Sequence, residues 1–170
     1  MYISTLKRTT ICILCGMCLA LNANAATSGT INLSGNEPAI LEITVTAEVI
    51  AARLPLDTTV TDLKVGTVIE RSNKKAGYTV TINSASASAD GSSTASFKSS
   101  GSPDTLPYAL KYGGKTVSFI SGTSAVVSTV SAKTSPTGIE NEVTVSFDGA
   151  NAFLDAEVYG DTLTFTVIAN

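Results

Sequence analysis

The chain has 170 residues, with 11 basic and 14 acidic side chains, three cysteines, no histidine and no tryptophan. Without histidine, Ser-His and Cys-His catalytic arrangements cannot form. Acidic residues are spread along the chain, and beyond Lys7-Arg8 near the start Lys74-Lys75 is the one basic pair, which argues against nucleic acid or anionic lipid as a partner.

The first segment reads as a secretory signal. Lys7 and Arg8 precede an apolar run from Ile11 to Leu21, and Ala23-Asn24-Ala25 is an A-x-A cleavage site. Residues 1–25 are therefore expected to be removed. A lipobox at Cys18 is the weaker alternative, because Cys15 stands where an aliphatic residue belongs. Cys12, Cys15 and Cys18 all fall in the removed segment, so the mature chain would have neither disulfides nor Cys/His zinc sites. Losing Lys7 and Arg8 moves the net charge from −3 to about −5.

Period-2 alternation dominates the chain beyond the cleavage site. Gly29 to Gly35 is a short half-apolar strand in which Ile31 and Leu33 alternate with polar residues. Asn36-Glu37-Pro38 breaks it. From Leu41 to Val49 the alternation is unbroken, and it recurs in Tyr78-Val80-Ile82, Val143-Val145-Phe147 and Leu163-Phe165-Val167. Val60 to Ile69, Leu106 to Tyr112, Val117 to Ile120 and Ala125 to Val130 read as less regular strands. Ala85 to Ser102 is rich in Ser, Ala and Gly and reads as a loop with a short strand near Ala95-Phe97. Asp90-Gly91, Gly113-Gly114 and Asp148-Gly149 carry turn chemistry. No window of helical length has a 3.6-residue period. Many short, one-face strands in one domain predict an all-β, antiparallel β-sandwich.

No catalytic or metal-binding constellation emerges. There is no G-x-S-x-G elbow, phosphate loop or EF-hand spacing. Glu140 and Glu142 fit the solvated face of a strand, and Asp57, Asp62, Asp90 and Asp104 fit turn caps. Tyr108 and Tyr112 fit core packing better than a carbohydrate platform. The expectation is a non-enzyme without cofactor or metal.

The two ends carry the most information. Gly29-Thr-Ile-Asn-Leu-Ser-Gly35, then Leu63-Lys-Val-Gly66-Thr-Val68, then the ending from Tyr159 to Asn170, resemble the N-terminal extension, an early strand and the final strand of bacterial chaperone–usher pilins. The chain departs from many of them in having no cysteine after the signal. The resemblance implies a donor-strand extension, 26–36, and an immunoglobulin-like domain, 37–170, that lacks its seventh strand. It implies that Ile31 and Leu33 enter pockets of a neighbouring copy while Gly35 permits close backbone approach. Tyr159, Leu163, Phe165 and Val167 would form the acceptor groove. A periplasmic chaperone would hold the carboxylate of Asn170 and deliver the subunit to an outer-membrane usher. The implied destination is a surface fimbria of neighbouring pilin subunits, reached through the periplasm without direct membrane insertion. The alternative is a self-contained secreted β-sandwich serving binding or adhesion.

Overall fold

A computed structural model describes residues 27–170, and the expected signal peptide with its three cysteines lies outside them. The chain divides into two units, Met1–Asn36 and Glu37–Asn170. In the first, the described residues 27–36 form neither helix nor strand, so the strand expected at Gly29–Gly35 is not formed. Ile31 and Leu33 are 85% and 91% exposed. An isolated strand has no partner for its backbone groups and is not stable alone.

The second unit is an antiparallel two-sheet sandwich, as the alternation predicts. Nine strands follow in order: β1 Leu41–Ala47, β2 Thr59–Ser72, β3 Tyr78–Ser84, β4 Ala95–Lys98, β5 Thr105–Tyr112, β6 Lys115–Val117, β7 Ala125–Val130, β8 Ile139–Asp148 and β9 Leu163–Ala169. The larger sheet runs β1-β2-β8-β5-β4, with β6 also on β5; the smaller runs β7-β3-β9. Every ladder is antiparallel.

The inward residues of the central strands pack as their parity dictates. Val80 and Ile82, Leu106 to Tyr112 at every second position, and Val143, Val145 and Phe147 are all buried. Phe97 stacks on Tyr108 at a centroid distance of 4.4 Å and meets Phe147 edge-on at 5.4 Å. Such aromatic pairs add about 0.5–1.5 kcal/mol beyond their burial.

Four local expectations are corrected. Ala85–Ser102 holds a short helix, α1 (Ala85–Asp90), as well as β4. Ser84 caps α1 by accepting the Ala87 amide at 3.1 Å, and Gly91 closes it in the left-handed conformation. Six residues are too few to display a helical period, so capping chemistry was the readable signal. The first long strand stops at Ala47, and Val49–Ala52 forms one turn of 3₁₀ helix. Val117–Ile120 is not a strand: β6 ends at Val117, and Ile120 bridges only Thr123 across a turn with positive φ at Ser121 and Gly122. Asp62 caps no turn. It sits at a bulge of β2 with φ 50°, and its carboxylate meets Lys111 at 2.7 Å.

Two carboxylate networks, one buried and one partly buried, fix how the sheets meet. Glu70 accepts from Tyr78 (2.9 Å), Tyr112, Ser128 (3.0 Å) and Asn141 (3.1 Å). Asp161 accepts from Ser84 (2.6 Å), both the amide and the hydroxyl of Ser86 (2.9 Å each), and Tyr108 (2.7 Å). The second network pins the start of β9 to α1 and β5.

Candidate functional site

The outermost strands of the two sheets, β1 and β9, come within 8 Å at their Cα atoms but share no hydrogen-bond ladder. β1 pairs only with β2, Leu41 opposite Ser72 and Ala47 opposite Gly66, and β9 pairs only with β3, Leu163 opposite Ser84 and Ala169 opposite Tyr78. Each therefore turns a row of unpaired backbone groups outward. Gly66 allows β1 to lie close on β2, since a Cβ there would sit 3.0 Å from the Thr46 carbonyl.

The side chains report the same gap. Leu41, Ile43 and Val45 on β1, and Leu163, Phe165 and Val167 on β9, keep the parity of core strands. Five of the six are only half-buried and Val45 is 49% exposed, whereas the equivalent residues of β3, β5 and β8 are buried. Phe165 reaches inward to Tyr112, with ring centroids 6.3 Å apart. The apolar faces of these two edge strands are thus less completely buried than those of the central strands.

Beyond the start of β9 the seam opens into a cleft of about 580 Å³ between the 3₁₀ turn and the β8–β9 connection. Leu54, Leu56, Phe97 and Leu154 line it, together with Phe153, which is fully exposed in a left-handed conformation at φ 47°, and Val158, which is 87% exposed. A bulky residue at positive φ is strained, and such strain clusters where a loop is held for binding.

The structure distributes the expected site residues unevenly. Leu163, Phe165 and Val167 stand together on β9 facing the seam. Tyr159 precedes the strand: the ladder begins at Leu163, and Gly160 instead bridges Lys98 of β4. Tyr159 lines the cleft, and its hydroxyl is shielded from solvent without a protein partner. Asn170 is held beside the β2–β3 turn, its amide donating to the Gly77 carbonyl at 3.2 Å and its side chain accepting from Thr79 at 2.8 Å. Ile31, Leu33 and Gly35 lie in the first unit, exposed and without secondary structure. Among the described residues no three His, Cys, Asp or Glu side chains converge as metal ligands do.

Sequence reasoning missed the cleft and its exposed Phe153 and Val158, because both lie in a connection that no periodicity marks. It also missed Asp161, whose carboxyl opposing forces act on. Burial disfavours its charge, but hydrogen bonds from Ser84, Tyr108 and Ser86 outweigh this and hold it below the usual carboxylate range. Tyr108 responds in the opposite sense: burial and the neighbouring Asp161 push its phenol up.

Comparison with protein-family models gives no match, and comparison with curated proteins gives none either.

Proposed function

We propose that this chain is a structural subunit of a bacterial surface fimbria, polymerised by strand donation between copies. The observation that carries the reading is the seam between β1 and β9: two unladdered edges flanked by six core-parity apolar residues that are left half-exposed. Residues 26–36 of a neighbouring copy have the matching chemistry. Ile31 and Leu33 alternate as a strand requires, they have no cover of their own, and Gly35 suits a place where two backbones approach closely.

A strand added at this seam would satisfy the free backbone groups of β9 and cover its apolar face, the general mode of edge augmentation. Each apolar side chain it buried would contribute about 1.5–3 kcal/mol before ordering costs. A periplasmic chaperone would occupy the same seam until an outer-membrane usher exchanged it for the next copy. This accounts for the signal-like start, the half-covered core and the donor-like extension together. No step of bond chemistry is needed.

The test is deletion of residues 26–36 with addition of a synthetic peptide spanning Thr27 to Ile40. The shortened chain is expected to stop polymerising and to capture the peptide. If it is as stable as the full chain and ignores the peptide, the self-contained sandwich is the correct reading.

A further inference from the structure

The two ends of the sandwich differ in charge, and this points to a second contact between copies. At one end Pro38–Ile40, the β2–β3 turn and the β7–β8 connection meet. Ile40 donates to the Asn73 side chain at 2.7 Å, Asn73 donates to the Pro38 carbonyl at 2.7 Å, and the Thr134 amide donates to Ser72 at 2.9 Å. Lys74, Lys75 and Lys133 stand on these two adjacent turns, none with a carboxylate in ion-pair range among the described residues. Glu37, Glu140 and the α-carboxylate of Asn170, held beside the β2–β3 turn, are the unpaired carboxylates on the segments of that end. At the opposite end, the cleft beside the start of β9 is bordered by the exposed carboxylates of Asp57, Asp155 and Glu157, with Arg53 as its one basic residue. Phe153 and Val158 stand exposed among them, and Val49, 90% exposed, lies on the adjoining 3₁₀ turn.

Resting on the strand-donation reading, chain length then limits where the donor's body can be. Five residues separate Gly35 from Leu41, and the six Cα-to-Cα steps between them reach about 20 Å at most. The donor's lysine-bearing end, where Pro38–Ile40 is pinned, must therefore lie close to the exit of the recipient's groove. An added strand that continues the antiparallel pattern of the smaller sheet leaves the groove at the start of β9, beside the acidic cleft. A parallel strand would leave at the end of β9, where the recipient's own lysines stand.

We propose that the bodies of successive copies dock head to tail, the face bearing Lys74, Lys75 and Lys133 of one seated on the cleft rim of the next, with Asp57, Asp155 and Glu157 as counter-charges around Phe153 and Val158. The partner is a second copy of this chain. The contact adds a charge-steered, apolar-centred joint to the donated strand. Such arrangement favours the correct encounter and its rate more than final affinity.

The experiment uses full chains carrying K74E/K75E, D57K/E157K, or all four substitutions. Each double variant is expected to slow fibre growth about ten-fold at low salt, with the difference shrinking to about two-fold at 0.5 M salt as the charges are screened. The quadruple variant, with the charges exchanged, is expected to recover most of the rate. F153S/V158S is expected to shorten fibre lifetime without a change in salt dependence. Capture of the Thr27–Ile40 peptide should be unaltered in all four. Unaltered growth and salt dependence with normal peptide capture would overturn the docking contact and leave strand donation standing. Failure of the parent chain to capture the peptide would overturn both.

Discussion

The phenol of Tyr78 donates to the carboxylate of Glu70 at 2.9 Å, and both residues are completely buried between the two sheets. Glu70 comes from β2, and its other donors come from β5, β7 and β8, so one carboxylate joins five strands of both layers. No cation lies in ion-pair range of it among the described residues, and its four donors are all neutral groups. Removing the acceptor leaves the buried hydroxyls of Tyr78 and Tyr112 unpaired, at about 1–3 kcal/mol each, while the partly exposed Ser128 and Asn141 can turn to water. Glu70→Ala is expected to lose at least about 3 kcal/mol, and Tyr78→Phe about 1–3 kcal/mol. Urea unfolding checks both; a loss below about 1 kcal/mol for Glu70→Ala removes the network from any account of stability.

The seam between β1 and β9 predicts a separation of binding from stability. Phe165 and Val45 are partly exposed in the lone domain, so truncating them removes contacts that are only half made. Val45→Ser and Phe165→Ser are expected to cost the unpartnered domain about 1–2 kcal/mol each. Their larger effect should fall on capture of the Thr27–Ile40 peptide, weakened about ten-fold or more, the equivalent of about 1.4 kcal/mol. Val145→Ala, in the closed core, should reverse that order: about 2 kcal/mol of stability lost and peptide capture little changed. Parallel titration and unfolding of the three variants decides it. Equal losses in both measurements for all three would mean that β1 and β9 are ordinary edges.

How much of the fold was legible in the sequence depends on what each feature rests on. β3, β8 and β9 were readable because their apolar parity is unbroken and side chains at every second position share a face. β2 was harder. Register shifts between Val60 and Leu63, and between Lys64 and Gly66, change which parity faces inward, so Leu63 and Val65 hand over to Val68 and then to Glu70. A glutamate in phase with Val68 was the one visible sign of a buried carboxylate. Three of its four partners arrive from strands 42 or more residues away, which no local pattern encodes. For the candidate site, Leu163, Phe165 and Val167 were readable as a strand face. Their half-burial was not, because it follows from the place of β9 at the edge of its sheet, which local sequence does not encode. Phe153 and Val158 gave no signal, since exposure in a connection is set by tertiary packing alone.

Gly77 offers a sharp backbone test. It closes the β2–β3 turn at φ 82°, and a Cβ there would sit 1.7 Å from the Val130 carbonyl oxygen. Its own carbonyl accepts the Asn170 amide, so the residue ties the turn to both β7 and the end of β9. Gly77→Ala must therefore both strain φ and push β7 away. A loss of about 3 kcal/mol or more is expected, well above the usual cost of a surface substitution. Gly91→Ala, also at positive φ but with open space around the added carbon, should cost about 1 kcal/mol. Thermal unfolding of the pair separates backbone strain from steric clash, and similar costs at the two positions would refute the clash.

Alkaline pH gives the last prediction. The phenols of Tyr78, Tyr108 and Tyr112 are all pushed up, in each case first by burial and then by the hydrogen-bonded carboxylate beside them, Glu70 for two and Asp161 for the third. Unfolded tyrosine titrates near pH 10. Below that pH these tyrosines are protonated in both states and their contribution to stability is fully present. Above it the unfolded chain releases protons that the folded chain keeps, so stability falls as pH rises towards the folded values. Each tyrosine contributes about 1.4 kcal/mol of loss per pH unit, and three together give about 4. The domain is expected to unfold cooperatively above pH about 10, with the phenolate absorbance of these three tyrosines appearing in the same step. Tyr112→Phe should flatten the slope by about one third, at a cost in stability near neutral pH. A smooth phenolate titration well below the unfolding pH would show that the three hydroxyls are not held in the protonated form by the fold.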